Sequence, residues 1–231
     1  MVPGRGIPDV HKTYWYTFVK NKLDENAIFK EVILPEQMPD YEAATEAIWV
    51  EWIKSHDIKE NDTLMGHSTG AVACLRACET VKCKGLVICA PHWTDLGDDG
   101  EKASGYFDRE WQWEKIIENC GAITQFSCAD DPLIPLEEAH HVKDSLKLCV
   151  ANENGDYLEL FKRGHFDQEI FDEMFIVVLR YGVDDPDADP MKPVVPMPEG
   201  FEKTAVPKPL IMGPKTVAFV VLYFALAYYY Q

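Results

Sequence analysis

The chain has 231 residues, of which 47% are hydrophobic, so it is long enough to form one domain with a large buried core. Its formal net charge of −17 would repel a phosphate backbone, and no Lys/Arg cluster offsets that field, which argues against nucleic-acid binding. The N-terminal stretch lacks the basic segment followed by an apolar one that marks a signal peptide, so a cytoplasmic domain is expected.

The first half of the chain alternates short apolar runs with longer amphipathic ones, which indicates βαβ units around a parallel sheet. The predicted elements are a helix over Tyr14–Leu23, a strand over Phe29–Leu34, a helix over Tyr41–Ser55, a strand over Thr63–Met65 and a helix over Ser68–Glu79. The Gly-rich loop Pro3-Gly4-Arg5-Gly6 comes before them, where folds of this type usually have a strand. The first strand is therefore nearly absent, or the sequence is part of a longer chain.

The same alternation continues through the second half. The predicted elements are a strand over Gly85–Ala90, a helix over Trp111–Glu118, a strand over Ile123–Ser127, a helix over Leu136–Leu148, a strand over Tyr157–Phe161 and a helix over Gln168–Arg180. Because each strand is followed by a helix, the pattern predicts a three-layer α/β sandwich with a mostly parallel central sheet. Residues 1–180 are predicted to be one domain.

The composition changes abruptly after Arg180. Eight of the fifteen prolines and a run of acidic residues lie between Tyr181 and Pro214, so residues 181–208 are predicted to be a disordered linker. Val217–Tyr230 is an unbroken apolar run, which predicts a C-terminal apolar helix. Residues 209–231 are a candidate membrane anchor that keeps the domain on the cytosolic face. The alternatives are a helix packed on the domain or an unfolded apolar end, since the run is shorter than the roughly 30 Å hydrocarbon core.

The segment Gly66-His67-Ser68-Thr69-Gly70 has the GxSxG pattern and lies between a predicted strand and a predicted helix. A sharp turn in this context is a nucleophile elbow, which holds its serine in a strained conformation at the start of a helix. The glycines let the two backbones pass close to the serine. Ser68 is therefore the predicted nucleophile.

A histidine and an acid are expected on loops after later strands, at the same edge of the sheet as Ser68. His165 follows the last predicted strand and is the predicted general base. Asp130 and Asp131 both follow the preceding strand. Asp131 is favoured because Pro132 restrains it to an extended conformation, and Asp130 is the alternative.

An oxyanion formed at the serine needs two backbone N–H donors. The first is expected from Thr69, directly after the nucleophile. By position in the Gly-rich loop, the second falls on Arg5.

The segment Pro91–Trp113 is crowded with aromatic residues and joins a predicted strand to the next helix. Its side chains either form one wall of a substrate pocket or cap the hydrophobic core. The candidates for the pocket wall are His92, Trp93, Tyr106 and Trp111.

The seven cysteines are odd in number, form no CxxC pair and mostly lie inside apolar runs. This pattern indicates buried, reduced thiols. A zinc site or a disulfide framework is the alternative.

Several segments together resemble one known family. They are Gly66 to Ala71, Thr94 to Asp98, Ala103-Ser104-Gly105-Tyr106-Phe107, Trp111-Gln112-Trp113-Glu114-Lys115-Ile116, Asp130-Asp131-Pro132 and Gly164-His165-Phe166. From Val2 to Leu179 the chain resembles the retinoblastoma-binding-protein-nine-like serine hydrolases, a small family with the α/β-hydrolase fold. The segments between Ala103 and Ile116 are much more specific than GxSxG alone.

This resemblance implies a triad of Ser68, Asp131 and His165, a site without cofactor or metal, and hydrolysis of a small ester or amide through an acyl-enzyme. Aminopeptidase-like cleavage of aminoacyl substrates is one form of that activity. The LxCxE motif that binds retinoblastoma-type pocket proteins is absent from the sequence, so that partner is not expected. The rival hypothesis is a catalytically silent scaffold tethered to a membrane, motivated by the short N-terminus and the apolar tail.

Overall fold

A computed structural model describes residues 1–148 and 155–182, which all lie in the unit Met1–Lys192. The helices are α1 (Tyr16–Asn26), α2 (Glu46–Ser55), α3 (Thr69–Cys78), α4 (Asp99–Ser104), α5 (Trp113–Asn119), α6 (Leu136–Ser145) and α7 (Asp172–Gly182). The strands are β1 (Thr63–His67), β2 (Cys83–Cys89), β3 (Cys120–Cys128) and β4 (Gly155–Leu160). A short 3₁₀ helix spans Val10–Lys12.

The four strands form one parallel sheet in the order β1-β2-β3-β4. Strands that follow one another in the chain are therefore neighbours in the sheet, and at least one helix connects each pair. Because all four run in the same direction, their carboxyl ends meet at one edge. Loops that follow β1, β3 and β4 can thus bring distant residues together at that edge.

Val2 takes the place of the first strand. It forms a single parallel bridge with Gly66, on the side of β1 away from β2. The Val2 N–H donates to the carbonyl of Met65 at 2.7 Å, and the His67 N–H donates to the carbonyl of Val2 at 3.0 Å. The segment before α1 thus contributes one residue to the sheet and then passes beside the start of α3.

The sheet is covered on both faces, which confirms the predicted three-layer architecture. Leu86 and Ile88 of β2 belong to a hydrophobic cluster with α2, α3, α5 and α6. Val87 and Cys89 belong to a second cluster with α1 and α7. Since successive residues of a strand point to opposite faces, the continuous apolar run of β2 is explained by burial on both sides.

The predicted strand over Phe29–Leu34 is wrong, because these residues are irregular in the structure. The carbonyl of Ile33 accepts a hydrogen bond from the N-terminal ammonium of Met1 at 2.8 Å. Among residues 1–148 and 155–182, the sheet on this side of β1 continues only as the one-residue bridge of Val2, which is too short to carry a further strand in register. Helix α2 also begins later than predicted, at Glu46, and α4 was not predicted.

The predicted linker at 181–208, the apolar helix over 217–230 and the candidate anchor at 209–231 lie outside the described residues, apart from Tyr181 and Gly182. These two residues still belong to α7, which therefore extends past the predicted domain end at Arg180. Within residues 1–148 and 155–182, no helix has both the length and the apolar character needed to cross a membrane.

Candidate active site

The turn between β1 and α3 holds Ser68 at φ 55° and ψ −128°, a conformation that only glycine adopts without strain. Its N–H donates to the carbonyl of Cys89 at 2.9 Å, which fixes the turn to the neighbouring strand. The two glycines are required by close contacts. A Cβ on Gly66 would lie 2.4 Å from the carbonyl oxygen of Gly70, and one on Gly70 would lie 2.2 Å from that of Pro3.

An acid–histidine pair follows β3 and β4 at the same edge. The Nδ1 of His165 lies 2.9 Å from Oδ2 and 3.1 Å from Oδ1 of Asp131. The Oδ1 atom also accepts the N–H groups of Leu133 and Ile134, at 2.8 and 3.0 Å. The Asp131 carboxylate is thus held by its own loop. Because a carboxylate only accepts hydrogen bonds, it fixes the proton of a neutral His165 ring on Nδ1.

The neighbouring Asp130 points elsewhere. Its Oδ1 accepts the thiol proton of Cys128 and the N–H of Lys162, both at 2.8 Å. The hydrogen bond from the thiol, more than any other contact, holds the pKa of Asp130 below its usual value. Asp130 thus secures the loops after β3 and β4, and the pairing with His165 belongs to Asp131, as the proline argument predicts.

Ser68 and His165 line one cavity of about 340 Å³. The Gly-rich loop closes one side, and a Cβ on Gly4 would lie 3.4 Å from the Cβ of Ser68. The polar residues that line the cavity are Arg5, Tyr14, His67, Ser68, Thr69, His92, Asp98, Glu101 and His165. The predicted nucleophile, base and both predicted oxyanion residues therefore line the same cavity.

The predicted oxyanion residues are tied together by Glu101. Its Oε1 accepts the hydroxyl proton of Thr69 at 2.7 Å and lies 3.3 Å from Nε of Arg5. The Arg5 guanidinium also donates to Asp98 at 2.8 Å. As the first residue of α3, Thr69 has no intrahelical acceptor for its N–H, so this donor is available beside Ser68.

Glu101 and His92 line the cavity and lie beside each other, with Oε2 of Glu101 at 3.5 Å from Nε2 of His92. Apart from this contact, Oε2 of Glu101 and both ring nitrogens of His92 are buried and have no hydrogen-bond partner in the described part of the chain. Burial alone would raise the pKa of Glu101, but His92, Thr69 and Arg5 outweigh it and hold that pKa below its usual value. The carboxylate therefore presents a negative charge to whatever occupies the cavity.

His67 lies beneath the nucleophile and links three segments. Its Nε2 is 2.9 Å from the carbonyl oxygen of His165, and its Nδ1 is 2.6 Å from the hydroxyl of Tyr16. Burial lowers the pKa of His67 to about 3, so the ring is neutral. The carbonyl can only accept, hence Nε2 carries the proton and Nδ1 accepts from Tyr16, whose oxygen in turn accepts the Gly4 N–H at 3.2 Å.

The aromatic wall predicted from Pro91–Trp113 needs correction. Among its four candidates, only His92 lines the cavity of Ser68. Trp93 stacks on His141 with ring centroids 3.7 Å apart, and Tyr106 is fully buried in the hydrophobic cluster of α3. Trp111 lies over the guanidinium of Arg76 and donates its indole N–H to the carbonyl of Trp93. Tyr106 thus lies in the interior, whereas Trp93 and Trp111 are half-buried and pack against His141 and Arg76 instead of the cavity.

Sequence reasoning missed Glu101 and Tyr16. Asp98 accepts the N–H of Glu101 at 2.8 Å, so the Asp-x-x-Glu spacing is a helix-start signal that was available in the sequence. That signal places Glu101 in the first turn of α4 but does not indicate the cavity it faces. Tyr16 lies on an amphipathic helix, and nothing local distinguishes it from an ordinary core tyrosine.

Comparison with known proteins places the chain among hydrolases. No protein-family profile matches it. It is 38% identical over 179 residues to serine hydrolase RBBP9 of Rattus norvegicus, covering 77% of this chain and 91% of that protein.

Solved structures share the fold at low sequence identity. The ydeN gene product of B. subtilis has a TM-score of 0.66 and 18% identity, with 78% of this chain and 95% of that chain covered. MGS-M2, an alpha/beta hydrolase enzyme from a deep-sea metagenome, has a TM-score of 0.51 and 15% identity, with 81% and 90% covered. These structures confirm the α/β-hydrolase fold, and the rat relative confirms the resemblance seen in the sequence. The chain therefore belongs to the RBBP9 family of serine hydrolases.

Proposed function

We propose that the chain hydrolyses a small ester or amide through an acyl-enzyme formed on Ser68. The observation that carries this proposal is the hydrogen-bonded pair of Asp131 and His165 at the same cavity as Ser68. A neutral imidazole oriented through Nδ1 leaves Nε2 as a base, and a serine in a strained elbow turn is exposed to it.

In the acylation step, Ser68 Oγ attacks the carbonyl carbon of the substrate while His165 Nε2 takes the hydroxyl proton. The negative charge that develops on the carbonyl oxygen is held by the N–H groups of Thr69 and Arg5. The C–O or C–N bond then breaks, and His165 returns the proton to the leaving group. Asp131 stabilises the imidazolium and remains ionised throughout.

In the deacylation step, water takes the place of the leaving group. His165 removes a proton from this water, the hydroxide adds to the acyl carbon, and the bond to Ser68 breaks with return of the proton to Oγ. Glu101 acts as a positioning residue in both acylation and deacylation, because it holds the side chains of Thr69 and Arg5.

Among small esters and amides, we propose aminoacyl substrates as the preferred class. Arg5 faces two carboxylates, those of Asp98 and Glu101. One positive and two negative charges leave this side of the pocket with a net negative charge when His92 is neutral. The Oε2 atom of Glu101 lies 3.5 Å from Nε2 of His92, a long contact, so it can also accept a hydrogen bond from a substrate ammonium group.

A fluorophosphonate probe tests the nucleophile, because it reacts only with an activated serine. We expect labelling of the full chain, loss of labelling in Ser68→Ala, and retention in the matched control Ser55→Ala, an exposed serine on α2. Labelling that persists in Ser68→Ala contradicts the proposal.

A panel of matched substrates tests the preferred class. The panel pairs an aminoacyl ester and amide with their N-acetylated forms and with a simple acyl ester and thioester. We expect the free-amino compounds to have the higher kcat/KM, by about 10-fold or more for one charge-assisted contact. Equal rates for free and acetylated compounds would remove the aminoacyl preference but leave the serine mechanism intact.

A further inference from the structure

Three cysteines from three different elements meet at the amino-terminal edge of the sheet. Cys78 is the last residue of α3, Cys83 the first of β2 and Cys120 the first of β3. Cys83 and Cys120 are direct neighbours in the β-ladder, and all three side chains are buried. Ser68 follows the carboxyl end of β1, so the cluster lies at the opposite edge from the active site.

The spacing of the sulfurs is that of ligands around one ion. The Sγ of Cys83 lies 4.0 Å from that of Cys78 and 3.7 Å from that of Cys120, and the three lie within 4.8 Å of one another. Zn–S bonds of about 2.3 Å place sulfurs about 3.8 Å apart in a tetrahedral site and about 4.0 Å apart in a planar three-sulfur site. A disulfide needs an S–S distance of about 2.05 Å, much shorter than either separation.

The backbone around the cluster is held by close contacts. A Cβ on Gly121 would lie 2.7 Å from the carbonyl oxygen of Lys84, so glycine is required for the approach of β2 and β3 at this point. The side-chain amide of Asn119 donates to the carbonyl of Cys78 at 2.9 Å. The three thiols are thus positioned by two strand starts and a helix end.

We propose that Cys78, Cys83 and Cys120 bind one thiophilic cation with a filled d shell, Zn²⁺ or Cu⁺. Thiolate is a ligand that both ions favour, and each thiol releases its proton to solvent as its sulfur binds. Three thiolates complete a trigonal site for Cu⁺. Zn²⁺ takes a fourth ligand, and water can supply it beside Cys120, which at 8% is the most exposed of the three.

The ion would have a structural role, because it would join α3 to the starts of β2 and β3. No His or carboxylate belongs to the cluster in the part of the chain that the structure describes. An ion with only thiolate and water ligands at this edge cannot contact a substrate bound at Ser68. Binding is therefore expected to raise the melting temperature and to leave kcat/KM unchanged.

The test uses the full chain, stripped of metal by a chelator and kept reduced. We titrate it with Zn²⁺, and separately with Cu⁺ without oxygen, and count bound ions by native mass spectrometry. We expect one ion per chain from at least one metal. At a free metal concentration about 100-fold above Kd, the melting temperature should rise by about 5 to 10 °C.

Single variants identify the ligands. Cys78→Ser, Cys83→Ser and Cys120→Ser should each weaken binding by about 100-fold or more, since serine replaces a thiolate with a poor ligand for these ions. Cys89→Ser is the matched control, a buried β2 cysteine on the other face of the sheet, and it should bind as the wild type does. Circular dichroism checks that each variant folds. If one variant does not fold, the metal titration of the wild type still tests the proposal.

Three results would overturn the proposal. The wild type takes up neither metal at micromolar free concentration, or Cys89→Ser loses binding as severely as the ligand variants do. The third is a Cys83–Cys120 disulfide in the protein isolated without reductant, found by peptide mapping. All these readouts are independent of hydrolase activity, so failure here leaves the proposed function untouched.

Discussion

The two edges of the sheet carry polar side chains arranged in opposite ways. At the carboxyl edge, Asp131, His165 and Glu101 take part in directed hydrogen bonds, and His165 and Glu101 line a cavity. At the amino edge, three thiols face mainly one another. The proposed catalytic site thus lies at one edge of the sheet, and the proposed metal site lies at the other. Substitutions at the first edge should cost activity, and those at the second should cost stability.

The strongest test of this separation is removal of the nucleophile or the base. Ser68→Ala and His165→Ala should each lower kcat by about 10⁴- to 10⁶-fold, because the triad acts as a unit. Melting temperatures should stay close to that of the wild type. Steady-state kinetics on one ester substrate measures the loss, with Ser55→Ala as control. Turnover near the wild-type rate in either variant would rule out the mechanism.

The two adjacent aspartates provide a sharper comparison. Asp131→Asn should lower kcat by about 10⁴-fold, since an amide can donate to Nδ1 and favour the wrong tautomer of His165. Asp130→Asn should cost less than about 10-fold, because its partners are Cys128 and Lys162. Parallel kinetics of the two variants decides the assignment, and equal losses would show that Asp131 is not the acid.

Glu101→Gln tests whether Glu101 positions the oxyanion residues. The amide keeps the shape of the side chain but loses the charge that holds Arg5. We therefore expect kcat on a neutral ester to fall by about 10-fold, which is less than the loss expected when one oxyanion N–H donor is removed. Asp98→Asn is the control, because it contacts Arg5 and leaves Thr69 alone. A fall in KM only, or no change at all, would indicate that the oxyanion hole does not depend on Glu101.

Because His67 is buried beside the proposed active site, it makes the stability of the fold depend on pH. Burial is the main reason that the pKa of His67 falls from its usual 6.5 to about 3 in the fold. Between these values the unfolded chain binds the proton and the folded chain does not, so stability falls as pH is lowered through this range. We expect a loss of about 2 kcal/mol from this residue between pH 7 and pH 4.5. Urea unfolding of the wild type should show it, and His67→Gln should have a correspondingly smaller pH dependence.

The smallest effect on activity is expected at the amino edge. Cys83→Ser should leave kcat/KM within about 2-fold of the wild type, because the residue lies at the far end of β2 from the cavity. Kinetics at a temperature well below the melting transition measures this. A large loss of activity in a folded variant would show that the two edges are coupled.

Much of the fold and the elbow could be predicted because the signals are local. The apolar runs of β1, β2 and β3 and the GxSxG motif are contiguous in the sequence, and burial on both faces makes such runs unmistakable. The prediction of a strand over Phe29–Leu34 was wrong for a reason outside the segment, because in the described part of the chain only the one-residue bridge of Val2 lies beside β1 on that side. A strand needs a partner, and single-sequence patterns do not reveal whether one exists.

The rest of the site depends on register and side-chain direction, which no local pattern encodes. Trp93 and Trp111 resemble a pocket wall in sequence but face His141 and Arg76 in the fold. Glu101 reaches the cavity only because α4 begins at Asp99. Cys78, Cys83 and Cys120 meet because β2 and β3 begin in register. Their spacing along the sequence contains no CxxC pair, so it does not predict a metal site.

The hydrogen bonds around His67 have a consequence for how the protein folds. They join Gly4, Tyr16, His67 and His165, with sequence separations of 51 residues from Tyr16 to His67 and 98 from His67 to His165. Contacts between such distant residues require closure of long loops and form slowly. During synthesis, the Nε2 proton of His67 cannot reach its partner in the fold, the His165 carbonyl, until the loop after β4 has left the ribosome. Catalytic competence is thus a property of the finished domain, and any fragment that ends before His165 would be an inert folding intermediate.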